Sequence, residues 1–220
     1  MAIDETIPLI NVNQPEAAGR GERSDAAANR ARILQTAERL FVEHGVAAVT
    51  MADIAEAAGV GKGTLYRRFS HKGELCLALM DSQLKAFQDE QLAQMRQSMA
   101  AGVPYLEQLS GFLQNLVTFT GVHMPLLCEV QQHSESLDAD EVERPHFWQY
   151  MTVYALLREA VSAGEMAAAL DLPVLAQALL APLNASTFRF QIQVLGFTPQ
   201  RIRDAIHTLV AGLASAPHKE

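Results

Sequence analysis

Residues Thr50–Lys72 read TMADIAEAAGVGKGTLYRRFSHK, and this stretch decides the fold. Thr50-x-x-Asp53 is a capping-box start for a short helix that buries Ile54, Ala55 and Ala58. Gly59-Val60-Gly61 then turns the chain, glycine being free to take positive φ. A second short helix is predicted over about residues 62–69. At roughly 100° per residue it points Leu65 and Phe69 to one side and spreads Gly63, Thr64, Tyr66 and Arg67 over the other. No acidic residue lies between Ala57 and Gly73, whereas Lys62, Arg67, Arg68 and Lys72 do. Helix, glycine turn and basic helix together have the form of a helix-turn-helix, so DNA binding is the expectation.

The rest of the chain sharpens this reading. The protein has 220 residues and a net charge of −8, which by itself argues against a nucleic-acid partner. The charge is uneven, however. Residues 23–80 carry 8 Lys+Arg against 6 Asp+Glu, and residues 81–220 carry 8 against 15. An acidic body with a mildly basic head confines attraction for DNA to one surface. Cys76 and Cys128 sit in apolar helical contexts without a signal peptide, and no apolar run nears the roughly 20 residues needed to span a bilayer. A cytoplasmic protein with no membrane partner is expected.

Residues 1–23 lack periodicity and read as a mobile tail, from which Arg20 and Arg23 could reach a groove. From Ser24, Ile33, Leu34, Ala37, Leu40 and Phe41 follow one helix face up to a stop at Gly45. Ser70 can cap a long helix over about residues 71–99. Further helices are predicted over residues 105–120, stopped by Gly121 and Pro125, over 145–163, over 171–195, and from Thr198-Pro199 to about Ala214. The stretch between 126 and 143 reads as a short helix and an acidic loop. The fold class is all-α, with about nine helices. It divides into a tail (1–23), a DNA-binding domain (24–70) and a helical domain (71–220), for which ligand binding and dimerisation follow only from the family resemblance drawn next.

The run Ile33-Leu34, Ala37, Leu40-Phe41, Gly45, Thr50, Ile54-Ala55, Ala58-Gly59-Val60, Gly63-Thr64-Leu65-Tyr66, Phe69, Lys72 and Leu75 resembles the N-terminal domain of TetR-family transcriptional repressors over about residues 28–76. The resemblance implies a homodimer that binds a palindromic double-stranded DNA operator and leaves it when a small-molecule effector enters the C-terminal domain. It implies phosphate contacts from Tyr66, Lys72 and the Thr50 backbone N–H. Arg67 offers a fork for guanine, Thr64 can read a base edge, and Gly63 permits close approach. Lys62, Arg68 and His71 flank them electrostatically. Gly73 departs from the family, where an acidic residue is common, and is expected to weaken the start of the fourth helix slightly.

Candidate effector-pocket residues are Phe112, Phe119, His123, Met124, Phe147, Trp148 and Met151, for which plain core is the competing reading. The last two helices supply Phe188, Ile192, Leu195, Ile202, Ile206, Leu209, Val210 and Leu213. By resemblance these build a four-helix dimer interface, and an intrachain core is the alternative. No cofactor is expected. His123, Cys128, Glu129, His133 and His146 lie close in sequence but lack a tight metal-ligand spacing. A metal- or redox-responsive regulator, or one that needs no ligand, stays a weaker alternative. Without a phosphate loop, nucleophile elbow or paired-carboxylate signature, an enzyme is not expected.

Overall fold

The computed structural model describes residues 17–133 and 139–214. Among these it is all-helical: α1 (Ala17–His44), α2 (Met51–Ala57), α3 (Lys62–Arg68), α4 (Lys72–Ala100), α5 (Tyr105–Gln132), α6 (Ala139–Ser162), α7 (Leu172–Leu180), a 3-10 turn (Ala181–Leu183), α8 (Ala185–Gln193) and α9 (Pro199–Ala211). The predicted class and the number of α-helices are observed, but not the same nine segments: the short helix expected between 126 and 143 is absorbed into α5 and α6.

Buried side chains form two clusters. The head cluster joins Ile33, Ala37, Leu40 and Phe41 of α1 to Ile54 of α2 and Leu65 and Phe69 at α3. It also takes Leu75, Cys76 and Leu79 from α4 and Val130 from the end of α5. The body cluster is built on α5, where Leu109, Leu113, Leu116 and Val117 meet Phe87 of α4, Val153 and Leu157 of α6, and Phe188, Ile202, Ile206 and Val210 of α8 and α9. Packing therefore runs across residue 70 without a break. Two helices, α4 and α5, carry residues into both clusters.

Several boundaries differ from the sequence reading. The helix α1 begins at Ala17, so residues 17–23 of the segment read as tail are helical. Alanines at 17, 18 and 26–28 favour helix strongly enough to carry the chain through Gly19 and Gly21. Residues 1–16 and most of the acidic stretch 135–143 lie outside the described residues or their described side chains.

The predicted stop at Gly121 and Pro125 does not occur, because α5 runs on to Gln132. Pro125 removes one hydrogen bond of that helix, but Met124 and Val130 on either side are anchored in the two clusters. At Pro182 the opposite happens. The predicted helix 171–195 breaks into α7, the 3-10 turn and α8, and Asn184 restarts it by accepting the Ser186 N–H at 3.1 Å.

The start of α5 has no local side-chain cap. Glu165, from the turn after α6, accepts the N–H groups of Tyr105 and Leu106, both at 2.8 Å. Nothing in the sequence marks this pairing 60 residues apart. The start of α9 is as expected, with Thr198 Oγ1 accepting the Arg201 N–H at 3.2 Å.

Candidate functional site

Around α2 and α3 the local chemistry follows the sequence closely. Thr50 Oγ1 accepts the Asp53 N–H at 3.2 Å, and Asp53 Oδ2 accepts the Thr50 N–H at 2.8 Å, a complete capping box. The Thr50 hydroxyl and N–H hold the Asp53 carboxyl below its usual range. This corrects the expectation for Thr50: its N–H is already committed to Asp53, so its part is to fix α2. Gly59 takes φ +63 in the turn, which a side chain would strain.

On α3, Leu65 and Phe69 are buried under α1 and α2, as their spacing predicts. Lys62, Gly63, Tyr66, Arg67 and Arg68 are exposed, and Thr64 is half-buried beside them. The Arg30 guanidinium sits 5.5 Å from the centre of the Phe69 ring, bringing a further cation from α1 to this end of the head.

The start of α4 departs from expectation. Its cap is His71, not Ser70: His71 Nδ1 accepts the Glu74 N–H at 3.2 Å. Ser70 instead donates its N–H and hydroxyl to Glu74 Oε2, at 2.6 and 2.8 Å. Lys72 turns toward the body, its Nζ 3.3 Å from Glu129 Oε2, with both side chains about 15% exposed or less. The His71 ring stacks on His133 at 4.6 Å with 9° between planes. Gly73 lies directly beneath His133, where a Cβ would stand 2.6 Å from His133 Cβ. The glycine read as a weakness is what allows the end of α5 to seat on the start of α4.

Below this contact Cys76 is fully buried. Burial, with a further push from Glu129 and a smaller opposing pull from Lys72, raises its thiol to about 12. The thiolate is the nucleophile, so Cys76 is inert near neutral pH. In native protein at pH 8, a soluble thiol reagent is expected to modify the half-buried Cys128 first and Cys76 only after unfolding. Mass-mapped labelling with and without denaturant checks this.

The seven candidate pocket residues do not converge, which corrects that expectation. Phe112 is buried, lines the cleft between α4, α5 and α9, and meets the half-buried Trp148 edge-on at 5.6 Å. Met124 is buried. Phe147 and Met151 are exposed at 66% and 43%. His123 packs against Phe119 at 4.5 Å and lines a shallow groove beside Pro125, where burial holds its imidazole below the usual value against a weaker pull from Glu38. Only Phe119 lines the cavity at the junction of head and body. That cavity, of about 250 Å3, has Leu77, Met80 and Leu84 of α4 on one side, and Val130 and Gln131 of α5 with Leu183 on the other. No sequence signal distinguishes these leucines from ordinary core.

The candidate interface residues also divide. Phe188, Ile202, Ile206 and Val210 are buried within the chain, because α8 and α9 turn those faces onto α5. Ile192 and Leu213 are half-buried, and Leu195 and Leu209 are exposed. The structure adds Phe190 and Val194 as exposed apolar residues of the same region. Among the described residues, no group of three or more His, Cys, Asp or Glu is placed to hold a metal. No described helix is long and apolar enough to cross a membrane.

This geometry defines a helix-turn-helix head packed on an all-helical body. Residues 33–79 match the family of bacterial regulatory proteins called the tetR family. The transcriptional regulator TtgR of Pseudomonas putida is 49% identical over 63 residues, which are 29% of this chain and 30% of that protein. A helix-turn-helix regulator of Staphylococcus aureus is 45% identical over 65 residues, 30% of this chain and 35% of its own. The chain thus spans about a third of the length of these relatives. Similarity of fold extends further. A transcriptional regulator of Saccharomonospora viridis, solved with choline, aligns over 86% of this chain and all of its own at TM-score 0.66 and 20% identity. FadR of Thermus thermophilus, a repressor solved with lauroyl-CoA, aligns over 87% and 99% at TM-score 0.62 and 20% identity.

Proposed function

We propose that this protein is a ligand-responsive repressor that binds a palindromic operator as a homodimer and leaves it when a small effector fills the junction cavity. The exposure pattern of α3 carries the reading. Gly63, Tyr66, Arg67 and Arg68 are open to solvent, while Leu65 and Phe69 fix the helix from behind. Arg67 and Thr64 then read bases, and Lys62, Tyr66 and Arg68 hold the phosphates. One head reads only a few base pairs. Two heads about 34–36 Å apart are needed to enter successive major grooves.

Lys72 gives the head its connection to the body. In this conformation it belongs to Glu129, so it joins the phosphate contacts only by exchanging partners. The junction cavity is walled by α5 residues immediately around Glu129, namely Leu127, Val130 and Gln131. An occupant there shifts the end of α5 and with it the choice Lys72 makes. A cavity of about 250 Å3 that sets Asp81, Thr120, Gln131, His146, Gln149 and Asn184 among its apolar side chains fits a small effector with both apolar and polar parts. The choline and lauroyl-CoA of the structural neighbours belong to those proteins, and at about 20% identity neither ligand carries over.

Selection of bound sequences from a random DNA pool by the purified protein tests the reading, and absence of a palindromic site would defeat it. On the selected site, Arg67→Ala is expected to lose about 1–3 kcal/mol of discrimination at one base position. Lys72→Ala is expected to weaken all sequences alike and to lower the salt slope by about 1. Glu129→Gln frees Lys72 and is expected to tighten binding. Unchanged affinity in both Lys72→Ala and Glu129→Gln would remove Lys72 from the interface.

A further inference from the structure

At the end of the body far from the head, α4, α5 and α9 diverge around a cleft of about 650 Å3. It is separate from the junction cavity and shares no lining residue with it. Its wall has an unusual composition for a gap between helices. Gln91, Gln94, Gln108 and Gln114 face it together with Ser110 and His207, and no lysine or arginine is among its lining residues.

These polar groups are organised. Gln91 is 3% exposed and its Oε1 accepts from Asn115 Nδ2 at 3.0 Å. Gln114 Nε2 donates to Ser110 Oγ at 3.0 Å, and the same hydroxyl is hydrogen-bonded to His207 Nδ1, also at 3.0 Å. Gln108 is 8% exposed. Its Nε2 donates to the Val103 carbonyl at 2.8 Å, but its Oε1 is buried and accepts no hydrogen bond. A buried acceptor left unmet is costly, and native proteins rarely keep one without a use.

The floor of the cleft is open for a second reason. Gly111, in the interior of α5, lines it, and a Cβ there would meet nothing within 4 Å. Glycine inside a helix is unfavourable relative to alanine, so here it widens the cleft at the expense of the helix. Apolar surface from Met95, Leu106 and Val210 completes the wall.

From the unmet Gln108 acceptor, the ordered amides and hydroxyl, and the open floor at Gly111, we infer that this cleft is a second small-molecule site, selective for neutral molecules that carry an N–H or O–H donor beside an apolar body. Gln108 Oε1, closed to solvent in this conformation, turns into the cleft to take the donor, and the apolar part lies against Met95 and Leu106. An anion finds no cation to meet it, and the only carboxylate in the lining is the exposed Glu107. The site stands independently of the operator-binding reading, since no residue of the head takes part.

Benzamide, neutral with two N–H donors, and N,N-dimethylbenzamide, of similar shape with none, separate the possibilities on the full-length protein. Methyl-labelled methionine and side-chain amide NMR report the place and the affinity. Benzamide is expected to shift Met95 and the Gln108 amide saturably, and N,N-dimethylbenzamide to bind at least tenfold more weakly. Gln108→Leu removes the acceptor and is expected to abolish that difference. Gly111→Leu fills the cleft without a clash at Cβ and is expected to abolish binding in a protein of normal stability. Equal binding of the two probes, shifts confined to Met80 at the junction cavity, or benzamide binding that survives Gly111→Leu would each overturn the assignment.

Discussion

Replacement of Gly73 by alanine is expected to destabilise the protein by about 1–3 kcal/mol, the usual consequence of forcing atoms into a packed interior. Two effects oppose each other here. Alanine is the better helix former by up to about 1 kcal/mol, and less than that in the first turn of a helix. Against it stands a new Cβ at 2.6 Å from His133 Cβ and 2.8 Å from Cγ. The obstructing atom is not the far end of a flexible side chain. It lies next to the backbone, so the end of α5 itself must lift.

Lifting it separates the His71–His133 stack and lengthens the Lys72–Glu129 pair. The partner substitution identifies the cause. His133→Ala keeps the obstructing Cβ and is expected to restore stability only in part, whereas His133→Gly removes it and restores most. Denaturant unfolding of Gly73→Ala, His133→Ala, His133→Gly and the two double variants forms the cycle. Additive losses in Gly73→Ala/His133→Gly would show that the two positions do not meet. On the proposed mechanism, Gly73→Ala also releases Lys72 and alters operator affinity. The stability cycle stands without that.

The head was readable from sequence because its determinants are local. A capping box, a glycine turn and apolar residues at helical spacing each act within a few positions, and together they place Leu65 and Phe69 inside and Arg67 outside. The body was readable as helices but not as an arrangement. Pro125 and Pro182 carry the same local signal. One sits inside a continuous helix held at both sides by buried neighbours, and the other ends a helix where Asn184 can begin the next. Which outcome prevails depends on tertiary anchoring. Cavities were less legible still, because a leucine lining a gap and a leucine filling one look alike in sequence. Gly73 shows the same limit: propensity alone made it a flaw, and the neighbour that explains it lies 60 positions away.

The largest effect on operator binding is expected from Val194→Glu combined with Leu209→Glu. Both side chains are well exposed in the single chain, at 67% and 57%, so neither substitution disturbs the described core. Surface replacements of this kind change stability by about 0.5 kcal/mol or less. With Phe190 and Leu195, also exposed, they supply large apolar side chains on α8, α9 and the turn between them. These are the surfaces that remain for a partner once Phe188, Ile202, Ile206 and Val210 are committed to α5. A two-fold interface brings each patch against its own copy, so two new carboxylates per chain become four in one contact, and like charges there repel. The double variant is therefore expected to be a folded monomer by sedimentation. Its operator affinity should fall by roughly 100-fold or more, since the second head no longer binds at the high effective concentration that linkage to the first provides. A protein that remains dimeric would place the interface on another face. One that becomes monomeric yet binds the full site as before would show that a single head suffices.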